Sequence, residues 1–116
     1  MKARDSIIRS ARASEASELS DLAFRSKAHW GYSGAFLESC RSELTYTPQQ
    51  IESACFVFTV AEETGNLRGF YALEQRRSEE VELEALFVEP GCIGKGYGRV
   101  LMEHAKRQAA RMGAAS

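Results

Sequence analysis

The clearest pattern along the chain lies between Val81 and Leu101, in VELEALFVEPGCIGKGYGRVL. Val81, Leu83, Ala85 and Phe87 alternate with Glu82, Glu84, Leu86 and Val88, a period of two that predicts a strand. Pro90 closes it, because proline has no N–H to give to a ladder. Gly94, Gly96 and Gly98, spaced at every second position, then mark a turn at which backbone can approach a partner without Cβ atoms in the way. Behind them the period changes. Leu101, Ala105 and Met112, with Ala109 close to the same stripe, fall on one helical face. The N-terminus of that helix would present main-chain amides outward, a setting that favours an anion and above all a phosphate.

Upstream, the segment from Ser6 to Ala11 centres on Ile7 and Ile8 and predicts a first strand. Ser14 or Ser17 can cap a helix to about Lys27 whose inner stripe is Ala16, Leu19, Leu22 and Ala23. His29, Trp30 and Tyr32 gather around Gly31, either as a packed helix-to-helix turn or as a substrate-facing lid. A short helix is expected from Ala35 to Leu44, and Thr47 with Pro48 starts another of one or two turns. The β-branched and aromatic run from Cys55 to Glu62 predicts a strand. Glu63, Thr64, Gly65 and Asn66 supply a hairpin turn, and the partner strand returns from Leu67 to Leu73. Polar residues from Gln75 to Glu80 then connect to the strand at Val81. The order is strand, two or three helices, three strands, helix, which predicts an α/β or α+β mixed sheet covered on its faces, in a single domain over residues 1–116.

With 44% hydrophobic and 27% charged residues, the composition is that of an ordinary globular protein. A net charge of −1 makes no case for nucleic acid, and Lys106, Arg107 and Arg111 read as cations complementing a helix C-terminus. No apolar run approaches the ~20 residues of a membrane span and no signal-peptide core follows Met1, so a cytoplasmic location is the expectation. Cys40, Cys55 and Cys92 are scattered and odd in number, which fits neither a disulfide framework nor a zinc site, and no metal is expected.

Three glycine-rich phosphate loops compete. A dinucleotide fingerprint needs Gly-x-Gly-x-x-Gly and an acidic residue roughly 20 positions on. Gly94, Gly96 and Gly98 are spaced otherwise and the sequence ends at Ser116. A P-loop needs four residues between its glycines and a Lys-Ser/Thr pair, whereas Lys95 is followed by Gly96. The third fits: the stretch resembles motif A of the GNAT superfamily of acyl-CoA N-acyltransferases, with Gly96 and Gly98 in the glycine positions and the flanks Phe87-Val88-Glu89-Pro90 and Gly98-Arg99-Val100-Leu101 also similar. The likeness extends from about Ile7 to Gly113. Ile93 stands where the family has Arg or Gln, and the strand-helix-strand unit that follows motif A's helix in the family has no counterpart here.

The resemblance implies a GNAT-like fold and transfer of an acetyl group from acetyl-CoA to a primary amine, on a small molecule or a protein. It assigns the pyrophosphate to the backbone of Gly94, Lys95, Gly96, Tyr97, Gly98 and Arg99, and polarisation of the acyl carbonyl to main-chain amides of Leu86, Phe87 and Val88. Glu82 and Glu84, on one face by strand alternation, are the candidate bases, with Glu82 favoured because it lies eleven residues before the Ile93 slot. His29, Trp30 and Tyr32 are the candidate acceptor-side residues. The family's general acid lies on a later helix. Tyr32 and Tyr97 are the candidate tyrosines to replace it, and His29 and His104 the remaining groups that titrate near neutrality. With the next strand missing, the Val81–Val88 strand becomes a sheet edge, and self-association through that edge is expected. The alternative is a non-catalytic acyl-CoA-binding or interaction module. A generic phosphate-binding domain would be a third class.

Overall fold

A computed structural model describes residues 6–113. Strand β1 (Ile7–Ser10) leads through a 3-10 turn (Ala13–Glu15) into helix α1 (Ala16–Ala28), followed by the short helices α2 (Gly34–Ser39) and α3 (Pro48–Glu52). Three strands follow, β2 (Phe56–Glu63), β3 (Asn66–Arg77) and β4 (Glu80–Val88). A second 3-10 turn (Pro90–Cys92) then precedes helix α4 (Tyr97–Arg111). The element order is the one expected, and the α/β architecture holds. All strand pairings in the sheet, β1-β2-β3-β4, are antiparallel.

The sheet carries one core on each face. Leu19, Leu22 and Ala23 of α1 cover Phe58, Val60, Phe70, Ala72 and Ala85, while Tyr97, Leu101 and Ala105 of α4 cover Ala61, Tyr71 and Leu73. Close seating of α4 explains Gly69 in β3. A Cβ built there would stand 2.8 Å from the Phe87 carbonyl oxygen and 2.9 Å from Leu101 Cδ1. The β2-β3 turn is Thr64 and Gly65, both at positive φ (50° and 82°), as a two-residue primed turn requires.

Several local expectations are corrected. Neither Ser14 nor Ser17 caps α1. Instead, the Glu15 carboxylate accepts the Arg12 N–H at 2.8 Å in the preceding turn and also holds Arg9. The helix expected to reach Leu44 ends at Ser39, where the Ser39 hydroxyl bonds back to the Phe36 carbonyl. The chain then turns so that Cys40 and Leu44 enter the core. Thr47 does cap α3, accepting the Gln50 N–H at 3.1 Å with Pro48 in the first helical position. The polar segment Gln75 to Glu80 is mostly strand: β3 runs to Arg77 and turns through Ser78 and Glu79.

The largest change concerns β4. Ala72 pairs with Ala85 but Leu73 with Leu83, so Glu84 is an extra, bulged residue. A bulge reverses the alternation on either side of it. Val81 therefore packs with the α4 core while Ala85 and Phe87 belong to the α1 core, and Leu86 and Val88 turn towards α4.

Candidate active site

The glycine loop sits between the end of β4 and the start of α4. Gly94 and Gly96 adopt φ values of +88° and +93°, a region L side chains rarely enter, and Gly96 is the residue that opens α4. The first amide of the helix to find a carbonyl is that of Val100, bonded to Gly96 at 3.1 Å. The N–H groups of Tyr97, Gly98 and Arg99 precede it and have no intrahelical acceptor. Gly98 is helical, and a Cβ there would meet only Val88 Cγ2, at 4.0 Å. Nothing internal to the fold demands glycine at a position where alanine would stabilise the helix by ~0.5–1 kcal/mol.

The loop opens onto a groove of about 250 Å³ between α1 and β4, lined by Ser26, Trp30, Leu86, Val88, Ile93 and Gly98 together with Cys92, Gly94 and Tyr97. Its two sides are tied together by a bidentate ion pair across 64 positions: Arg25 of α1 donates to both carboxylate oxygens of Glu89 at 3.1 and 2.7 Å. Tyr97 begins α4 with its ring in the core, 1% exposed, and its hydroxyl donates to Glu63 Oε2 at 3.0 Å. Burial, then the hydrogen bond to Glu63, pushes its phenol pKa up. Lys95 and Tyr97 also border a smaller recess of about 170 Å³ beneath the loop, next to Glu63, Arg68 and Glu89. A wider depression of about 470 Å³ between α1 and α3 lies away from the glycine loop and shares no lining residue with this groove.

Glu82 and Glu84 stand on β4, upstream of the groove. Both pair with Arg76, Glu84 at 3.1 Å and Glu82 through Arg76 Nε, and Glu74 joins the same guanidinium at 3.3 Å. The bulge keeps Glu84 on the side of Glu82, and Glu74 is held above the usual carboxylate range, first by its hydrogen bond with Glu84.

Of the residues singled out from the sequence, Trp30, Leu86, Val88, Gly94, Tyr97 and Gly98 meet in the groove. Phe87 does not: its ring packs on Phe70, 5.8 Å between centroids, on the opposite face, which leaves only its main chain available. Arg99 is exposed on α4. His29 and Tyr32 lie outside the groove lining. Tyr32 packs on Phe36 with the Lys27 ammonium 5.7 Å from its ring, and His29 meets Trp30 edge-on. His104 accepts from, or donates to, the Tyr71 hydroxyl at 2.7 Å on the α4 face, and burial followed by Arg107 and Arg111 pushes its pKa down. Both groups are thus engaged inside the fold, Tyr97 fully buried and His104 through Nδ1 while partly exposed. Sequence reasoning missed Ser26, although it continues the Leu19, Leu22, Ala23 stripe. It also missed Arg76, which lies in the polar segment that predicts a connection and is strand here.

The model of the acetyltransferase (GNAT) family matches residues 18–116. The chain belongs to the GNAT family of acetyltransferases. Among curated proteins no sequence relative matches. Solved GNAT-family structures share the fold. PaiA N-acetyltransferase from Thermoplasma acidophilum, in complex with coenzyme A, superposes with a TM-score of 0.75 at 21% identity, over 93% of this chain and 74% of that one. A GNAT family acetyltransferase from Brucella melitensis, in complex with acetyl-CoA, gives 0.68 at 22% identity, over 94% and 71%. The ribosomal-protein-S18-alanine N-acetyltransferase from Escherichia coli gives 0.70 at 18% identity, over 95% and 63%. This GNAT domain has no helix among its described residues long and apolar enough to cross a membrane, and no described group of three or more His, Cys, Asp or Glu that could hold a metal ion.

Proposed function

We propose that this GNAT domain binds acetyl-CoA with its pyrophosphate on the glycine loop and its pantetheine arm along β4, and transfers the acetyl group to a primary amine. The observation that carries this reading is the loop itself. Gly96 at positive φ delivers the free amides of Tyr97, Gly98 and Arg99 to the mouth of the groove, and Gly98 is a glycine that only an outside ligand explains. Lys95 adds positive charge beside those amides.

In the transfer, the amine nitrogen attacks the thioester carbonyl carbon, the C–S bond breaks, and the thiolate of coenzyme A leaves and is protonated. The position of β4 supports the assignment of carbonyl polarisation to its main chain from Leu86 to Val88, because it is paired only with β3 among the described strands and the alternate amides facing away from β3 are not used in a ladder. Glu84 stands two residues from Leu86, about 7 Å along the strand, and it or Glu82 takes the ammonium proton directly or through a water. The acceptor is a small amine or a protein amino group.

A second reading, an acyl-CoA-binding module without transfer, is favoured by one observation: both candidate bases are already paired with Arg76. Calorimetric titration with acetyl-CoA, followed by thiol release with a panel of amines, separates the two. Wild type is expected to bind and Gly96→Glu not to, since a side chain there would block the backbone approach. Binding unchanged by Gly96→Glu would sink the loop assignment, and comparable affinity for ADP would favour a generic phosphate site. Replacing Glu82 and Glu84 by Gln is expected to leave binding intact and to slow thiol release about 100-fold, the lower end of general-base contributions.

A further inference from the structure

We propose that Trp30 and Ile93 form an apolar clamp that holds the pantetheine arm of acyl-CoA between them. The inference rests on the acetyl-CoA reading of the groove and assigns Trp30 to the coenzyme rather than to the acceptor.

Exposed apolar side chains that gather at one cavity, rather than lying scattered singly, mark a binding groove. Trp30 is 64% exposed and Ile93 39% exposed, and both line the groove. They come from opposite sides of it. Trp30 follows the last turn of α1, and Ile93 stands in the loop between Cys92 and Gly94. The Arg25–Glu89 ion pair ties those two segments together, so the spacing between the lips does not depend on Trp30 itself. His29 meets the indole edge-on at 5.2 Å between centroids, which limits its tilt.

The lining chemistry says which part of the ligand fits. Between the lips, the walls are Leu86 and Val88, with Ser26 as the hydroxyl-bearing side chain. Apolar walls would penalise a pyrophosphate but suit an uncharged arm of methyl and methylene groups joined by amides. The charge-bearing end of the ligand instead meets the amides at Gly98. The groove is continuous with that cradle, because Gly94 and Gly98 border both. Ile93 adds exposed apolar area from the loop side of the same groove.

Trp30 is the single tryptophan of the chain, so its emission reports on the clamp directly. Acetyl-CoA is expected to shift or quench that emission, and ADP, which carries the pyrophosphate but no arm, to change it little. By calorimetry, Trp30→Ala should weaken acetyl-CoA binding about tenfold and leave ADP binding unchanged, while Trp30→Phe retains most of the affinity. Ile93→Ala should act in the same direction by a smaller factor. Its exposure makes Trp30 dispensable for folding, which thermal unfolding of both Trp30 variants checks. Equal losses for acetyl-CoA and ADP, or none for either, would overturn the clamp while leaving the acetyl-CoA reading standing. A wild-type chain that does not bind acetyl-CoA would overturn both.

Discussion

Two residues show how the packing assigns roles that their side-chain chemistry leaves open. Tyr97 and His104 are both titratable and both near the glycine loop in sequence, yet each is spent on an internal hydrogen bond. Tyr97 donates to the buried Glu63 carboxylate, whose charged neighbour, Arg68, lies at 3.7 Å. Tyr97→Phe is therefore expected to cost about 1–3 kcal/mol in urea unfolding. The His104 pKa is pushed down by burial and by the nearby Arg107 and Arg111, and the Tyr71 hydroxyl lies at its Nδ1. A folded pKa below the unfolded value means that protons bind the unfolded chain more readily. The contribution is fully present above the unfolded histidine value of about 6.5 and is lost as the pH falls from there towards the depressed folded value. The urea midpoint of wild type should thus drop further between pH 7.5 and 5.5 than that of His104→Asn, and parallel slopes would refute this account.

At the level of elements, the local signals in the sequence were reliable where the interaction itself is local. Thr47 and Pro48 start α3 because a cap and its amide lie three residues apart. Thr64 and Gly65 turn the hairpin because positive φ is a property of the turn residues alone. The start of α1 was not legible in the same way, because no side chain caps it: Glu15 bonds back to the Arg12 N–H in the preceding turn and pairs with Arg9 of β1. Nor was the bulge at Glu84, which exists only by reference to the register of β3. Gly69 belongs to this scale too. Its substitution by Ala should press on the Phe87 carbonyl and on Leu101, loosening α4 from β3 and β4 at a cost of about 1–3 kcal/mol. Since α4 carries the loop amides, the same variant should weaken acetyl-CoA binding, which calorimetry beside thermal unfolding would reveal.

Across the whole molecule, the sheet separates two cores and leaves β4 paired only with β3 among the described strands. Leu83 is exposed on that strand. An unpaired edge with apolar side chains is a template for another strand, and we propose that two copies associate through it. Light scattering at micromolar concentration should report a mass above that of one chain, and Leu83→Lys should lower it. A wild-type mass of one chain would count against the proposal.

The sequence by itself determined the order of elements, the glycine loop ahead of α4 and, through the motif it resembles, the family. Those features follow from periodicities and backbone constraints carried by neighbouring residues. Tertiary structure decided which side chains reach the groove. It brought Ser26 of α1 and Trp30 just beyond it to Leu86, Val88 and Ile93, turned Phe87 away, gathered Glu82 and Glu84 on Arg76 and engaged Tyr97 and His104 in internal hydrogen bonds. The physical reason is that each of these depends on strand register and on contacts between residues far apart in the chain, and a one-residue bulge is enough to exchange the faces of a strand.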